Sequence, residues 1–338
     1  MEGTVLLGHG SGGQMMKSLI DEVFLEAFDD PALAVGDDAG IVPVAGGRIA
    51  MSTDTFVVTP RFFPGGDIGR LAVAGTVNDV ATSGARPLYL TCGFVLEEGL
   101  PLDDLRRICA SMAQTAREAG VAIVSGDTKV VGRGGADGVY VNTAGVGELA
   151  AGVSLSGSQC RPGDKVLVSG TMGDHGIAVM AAREGLSFSV PVESDAAPLN
   201  HMVQAVLDAA PHARCFRDPT RGGLASTLNE FARASSVDIE VDEERIPVRP
   251  QVRSACELLG YDPLQVANEG KMVAVVPADE ADAALAAMRA SRYGEDATVV
   301  GDVLPARRPG VPLVRVRCPW GAARVLDMLV GEQLPRIC

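Results

Sequence analysis

Apolar positions along this chain follow two alternating rhythms. Short runs at strand spacing (GDDAGIVPV, RIAMSTDTFVV, PLYLTCGFVL, VAIVSG and GVYVNTAGVGEL) are interleaved with segments whose apolar residues fall three or four apart. Gln14 to Phe28 reads as a helix. In DIGRLAVAGTVNDVATSG, Leu71, Ala74, Val77 and Ala81 share one helical face and Gly84 ends it, so Asn78 and Asp79 fall in that helix's C-terminal half. Pro101 opens a further helix with Leu105, Ile108, Met112 and Ala116 on one face and Gly120 as its stop. VAIVSG reads as a buried strand.

Around SGSQCRPGDKVLVSG a polar turn, a proline and a fresh apolar run restart the pattern. Strands (KVLVSG, VDIEV, KMVAVVP, ATVVGDV) again alternate with alanine-rich helices (IAVMAAREG, LNHMVQAVLDAA, LASTLNEFARA, ADEADAALAAMRA). The expectation is two mixed α/β (α+β) domains, 1–155 and 156–330. A helix-like AARVLDMLV precedes a mobile tail, 331–338, broken by Gly331 and Pro335 and ending in Cys338. A length of 338 residues suits two cores better than one.

Charge narrows the partners. With 43 acidic against 29 basic side chains the net charge is −14, so phosphate backbones and anionic lipid surfaces are repelled: no nucleic acid and no membrane partner is expected. An acidic chain binds a nucleotide only where cations screen the phosphates. Seven cysteines, an odd number without a CxxC pair, read as reduced thiols in a cytoplasm; Cys92, Cys109 and Cys256 read as core fillers. No signal peptide and no run of about 20 apolar residues is evident.

The candidate chemistry lies at segment ends. Gly8, Gly10 and Gly13 in GHGSGG satisfy GxGxxG, yet no ribose-binding acid follows at the dinucleotide-fold distance. A loop of backbone amides that wraps phosphate fits Gly8, Gly10, Ser11, Gly12 and Gly13 better. Asp37, Asp38, Asp54, Asp79, Asp127 and Asp218 sit beside small residues at strand or helix ends. Carboxylates repeated in apolar surroundings suit Mg²⁺ on a triphosphate, here without a P-loop. Lys129 follows a strand closely enough to offset phosphoryl charge, and Glu269 precedes an apolar strand where desolvation raises basicity.

Taken in order, GDDAG, STDTF, NDVATSGARP, SGDTKVV, DPTRGG, NEGK and a terminal PRIC resemble the HypE family of hydrogenase maturation factors across nearly the whole chain. That family belongs to the ATP-binding superfamily of aminoimidazole ribonucleotide synthetase and selenophosphate synthetase. The resemblance implies a homodimer that uses ATP and Mg²⁺. It implies that the carbamoyltransferase HypF loads the terminal cysteine as an S-carboxamide. This is dehydrated to a thiocyanate, and the cyano group passes to iron on the HypC–HypD scaffold. Residue by residue, it implies Asp38, Asp54, Asp79 and Asp218 as Mg²⁺ ligands and Lys129 as the phosphate-side cation. Glu269 becomes the base, Cys338 the carrier, and Asp37, Asn78, Thr128 and the Gly8–Gly13 loop the nucleotide contacts. The alternatives are a small-molecule synthetase of the same superfamily, for which the tail is irrelevant, and a non-catalytic nucleotide-sensing module.

Overall fold

The computed structural model describes residues 13–28, 31–186, 191–308, 310–329 and 337–338. The chain opens with helices α1 (Gln14–Leu19), α2 (Glu26–Phe28) and α3 (Pro31–Ala34), a π-turn joining the first two. Strands β1 (Gly40–Val44) and β2 (Gly47–Phe56) form a hairpin, and the short β3 (Phe62–Phe63) and β4 (Gly66–Asp67) lead into helix α4 (Ile68–Thr82). Strand β5 (Arg86–Glu97), helix α5 (Leu102–Ala119) and strands β6 (Ala122–Val131) and β7 (Val139–Leu149) complete the first half. Its sheet has the order β1-β2-β7-β5-β6, antiparallel except for the β5/β6 pair.

The second half contains β8 (Lys165–Val168), α6 (Asp174–Glu184), α7 (Asn200–Ala209), β9 (Cys215–Arg217), α8 (Gly223–Ser235) and β10 (Val237–Asp242). After these come α9 (Pro250–Leu259), β11 (Val273–Val276), α10 (Ala281–Ala290), β12 (Thr298–Pro305), β13 (Val314–Arg317) and β14 (Ala323–Val325). Its mixed sheet runs β14-β13-β10-β12-β8-β11-β9. Both halves are mixed α/β, as the two rhythms predict.

Helix α4 fixes how the halves meet. Leu71, Ala74, Val77 and Ala81 are buried, but so are Thr76 and Asn78 on its other faces. A helix buried all round must be walled on every side, and α4 packs on β2 and β7 of one half and on α7 and β9 of the other. Asp67 caps it by accepting hydrogen bonds from the Gly69 and Arg70 amides, which satisfies donors a helix start leaves free.

Three expectations are corrected. AARVLDMLV is not a helix: Ala323–Val325 pairs antiparallel with β13 and Leu326 N–H donates to Val314 O at 2.9 Å, so an open sheet edge takes up its backbone groups. VAIVSG is not a buried strand, because β6 is the sheet's last strand and is exposed along nearly its whole length. Cys92 and Cys256 are buried, but Cys109 is exposed on the outer face of α5. Helix α9, which the periodicity reading passed over, carries Pro250 at its first position and Gly260 at its end, a legible pair of boundary signals.

Candidate active site

The carboxylates gather where α4 passes between the sheets. Asp54 comes from β2, Asp79 from α4, Asp38 from the turn before β1, and Asp218 from the turn after β9. Ser52 Oγ lies 2.8 Å from Asp79 Oδ2 and 3.0 Å from the Asp38 carbonyl, tying β2 to both neighbours. Gly75 leaves room for the group: a methyl there would meet the Phe56 ring and approach Asp54 Oδ2. Asp38 pairs with Arg217 Nε at 2.8 Å, and its Oδ2 has no protein partner. Arg217 also reaches Glu230 and the Gly36 carbonyl. Asp37, next to this group, accepts the Gly157 amide at 3.1 Å.

Packed together, these acids resist ionisation. Burial raises the Asp79 carboxyl well above its ordinary value, and repulsion from Asp218, Asp54 and Asp38 adds to it. Burial likewise lifts Asp218 to about 8, with Asp38 and Asp54 pushing the same way and Arg217 opposing. Asp38 and Asp54 are raised too, chiefly by burial. Oxygen donors that repel one another and keep an unpartnered atom fit a hard divalent cation. Among the described residues no group of three or more His, Cys, Asp or Glu side chains is placed to hold a metal ion by itself, so the acids fit a cation only one or two at a time.

Beside the acids lies a cleft of about 540 Å³ lined by Gly13, Lys17, Asp37, Asp38, Asp218 and Arg221 among others. Gly13 thus reaches the site, whereas Gly8, Gly10, Ser11 and Gly12 lie outside the described residues. Asn78, completely buried, accepts the Leu199 amide at 2.7 Å and donates to the Ala197 carbonyl at 3.0 Å and the Glu269 carbonyl at 3.5 Å.

The end of the chain enters the same place. The Cys338 carbonyl accepts from Val57 N–H at 3.1 Å. Burial pushes the Cys338 thiol far up, and the charge of Glu269, which also hydrogen-bonds it, pushes it further. Glu269, 2% exposed, has one oxygen without a hydrogen-bond partner. Burial raises its carboxyl well above normal, with Asp218, Asp54 and Asp195 adding to the rise and Arg221 opposing it. Arg221, from the DPTRGG turn, interacts electrostatically with Cys338, Asp54, Glu269 and Asp79. Sequence reasoning passed over Arg221 although it lies inside a motif already quoted. His175, in the first turn of α6, has its Nε2 2.7 Å from the Ile337 carbonyl. Nothing in its local sequence signals that contact.

Lys129 and Thr128 do not join this group within one chain. Both are exposed on β6, and Lys129 pairs with Asp127 at 3.3 Å. Asp54 stands opposite Thr143, Thr143 opposite Cys92 and Cys92 opposite Gly126, so β6 lies three strand steps away. At about 4.8 Å per step that is roughly 14 Å along the sheet.

Comparison with known proteins identifies the family. Residues 36–149 match the N-terminal domain and residues 161–314 the C-terminal domain of AIR synthase related proteins. Carbamoyl dehydratase HypE of Azotobacter vinelandii is 52% identical over 336 residues, which cover 99% of this chain and 98% of that protein. A crystal structure of hydrogenase maturation protein HypE in complex with ATP has a TM-score of 0.83 at 50% identity, covering 99% of this chain and all of that one. A HypE–HypF complex has a TM-score of 0.87 at 47% identity, covering 92% of this chain and 100% of the matched one. The chain therefore belongs to the HypE carbamoyl dehydratase family, within the AIR synthase related proteins.

Proposed function

We propose that this carbamoyl dehydratase acts on its own last residue: an S-carboxamide on Cys338 is converted, with ATP, to a thiocyanate that supplies the cyanide ligand of a [NiFe]-hydrogenase iron. The observation that carries the reading is the seating of Cys338 against Glu269, Arg221 and the aspartate group. Among relatives, the HypE structure with ATP and the HypE–HypF complex support nucleotide use and loading by HypF.

The chemistry follows from the groups present. An amide oxygen leaves poorly, so it is first phosphorylated and then departs as phosphate, while the nitrogen loses both protons: R–S–C(=O)NH₂ and ATP give R–S–C≡N, ADP, phosphate and a proton. Asp38, Asp54, Asp79 and Asp218 would hold Mg²⁺, which when bound supplies charge neutralisation for the triphosphate. Burial, with repulsion from Asp218, Asp54 and Asp195, raises the Glu269 carboxyl well above its ordinary value, which makes its carboxylate a stronger base for an N–H proton. Arg221 would stabilise negative charge on the departing oxygen, Gly13 and Asp37 line the nucleotide side, and Asn78 braces it from beneath through the Leu199, Ala197 and Glu269 backbone.

Lys129 and Thr128 fit this scheme if they serve a second copy. Met51, Val146, Tyr89 and Ala122 form one cross-strand row on the sheet's outer face, with Met51 48% and Tyr89 53% exposed. Such an apolar face supports a homodimer in which β6 carries Lys129 to the partner's phosphate. We further assign the cyano group to the HypC–HypD scaffold and the reaction to the cytoplasm, where the seven free cysteines would stay reduced. The test is mass spectrometry of the C-terminal peptide after incubation with HypF, carbamoyl phosphate and ATP. A carbamoyl adduct that then loses one water is expected, and a Cys338→Ser chain that still delivers cyanide would overturn the assignment.

A further inference from the structure

The last two residues are held by more than the proximity of a thiol to a base. Ile337 is 5% exposed and joins the apolar cluster of Phe56, Val58, Phe63, Val179 and Ala267. On one side of Cys338 the Val57 amide grips its carbonyl, and on the other His175 Nε2 grips the carbonyl of Ile337. His175 is completely buried, with the Phe63 ring edge-on to it at 5.5 Å between centroids.

Its tautomer follows from its partners. A carbonyl only accepts, so Nε2 carries the hydrogen and donates to Ile337 O. Nδ1 is then an acceptor, and Ser194 Oγ, 2.8 Å away, donates to it while accepting the Ala196 amide at 3.1 Å. Ser194 is itself fixed by its amide, which donates to the Pro64 carbonyl at 2.8 Å. A chain of bonds thus runs from the rigid Pro64 and Ala196 backbone through Ser194 and His175 to the last peptide unit.

We propose that His175 is a positioning residue which, with the Ile337 pocket, forms a receptor for the C-terminal dipeptide and sets the register in which the Cys338 sulfur meets Glu269. Successive residues of an extended chain point to opposite sides about 3.3 Å apart, so a slip of one residue turns the sulfur away from the base. The receptor reads an apolar side chain at 337 and the carbonyls flanking Cys338, which makes the length of the chain's end part of the specificity. This rests on Cys338 being the carrier.

The test is alkylation of the full-length chain by iodoacetamide, followed by mass spectrometry of the C-terminal peptide, with Cys318 as internal standard. A seated thiol, half-buried and hydrogen-bonded to Glu269, reacts slowly. His175→Phe keeps the ring volume without the donor and is expected to speed Cys338 labelling about tenfold while lowering the melting temperature by only a few degrees. His175→Gln, which offers an N–H at similar reach, is expected to restore most of the protection. Ile337→Asp alters only the chain's end and is expected to match His175→Phe, which decides the matter should the buried substitution unfold the protein. Labelling of His175→Phe and Ile337→Asp at the wild-type rate overturns the receptor; equal acceleration in His175→Phe and His175→Gln overturns the role of the hydrogen bond. Single-turnover dehydration of the carbamoylated wild-type chain is measured alongside. If that yields no thiocyanate, the proposed reaction fails while the labelling still decides the docking.

Discussion

Asp195 holds the backbone of Glu269: its Oδ1 accepts the Glu269 amide hydrogen at 2.9 Å. The same residue's main-chain oxygen packs against Gly270, where any Cβ would collide with it, and its other carboxylate oxygen lies 3.8 Å from Lys271 Nζ. The proposed base is therefore held in place by a neighbour, through its backbone. Asp195→Ala should slow single-turnover dehydration about tenfold and destabilise the chain by about 3 kcal/mol, because Lys271 is left buried and unpaired. Asp195→Asn keeps an acceptor for the amide and should lose much less rate. Rates measured at saturating ATP, beside urea unfolding, separate the two effects.

Glu269→Gln removes the proton acceptor while keeping its shape. Dehydration should fall by about a hundredfold or more, whereas loading of Cys338 by HypF should persist, so the carbamoyl adduct accumulates. Stability should rise, since a buried acid repelled by Asp218 and Asp54 has gone. Thiocyanate formed at the normal rate would remove Glu269 from the mechanism.

The crowded carboxylates make a pH prediction for the chain freed of divalent cations by chelation. The native state raises Asp218 from 3.8 to about 8, so between those values it binds more protons than the unfolded chain. The resulting stability is complete below 3.8 and is lost as pH rises through about 8. Asp79 and Glu269, also raised, act in the same sense. The thermal midpoint should fall across that window, and Asp218→Asn should flatten the fall. A midpoint that climbs with pH would contradict the geometry.

Lys129 offers a test of shared sites. Lys129→Ala and Glu269→Gln chains should each be inactive or nearly so. Mixed in equal amounts and allowed to exchange, they should recover about a quarter of wild-type activity, because half the dimers are mixed and one of their two sites is intact. No recovery would place Lys129 in service of its own chain.

Asn78→Ala leaves the Leu199 amide and the Ala197 carbonyl without their buried partner. A loss of about 2–3 kcal/mol in unfolding free energy is expected, with ATP affinity, measured by calorimetry at a temperature where the variant is folded, changed less than threefold.

Much of this architecture could be read before any coordinates. Apolar spacing located α4, α5 and the long strands because their buried faces leave a period in the sequence, and the glycines at 84 and 120 marked where helices end. The acids at 38, 54, 79 and 218 stood out because carboxylates between small residues are unusual. What escaped was relational. The exposure of β6 depends on its being last in the sheet, and the strand at 323–325 exists only because β13 offers an edge. Arg221, Asp195 and His175 matter through partners 48, 74 and 162 positions away along the chain, and no local pattern records such distances.

Helix α4 has one further implication. Since both sheets use it as a wall, neither half retains a complete interior when the other is removed. The boundary between the two family matches thus crosses a shared interior, and the entire chain is expected to unfold as one cooperative unit. Heating should produce a single calorimetric transition, and severed halves should regain structure only by reassociating around that shared helix.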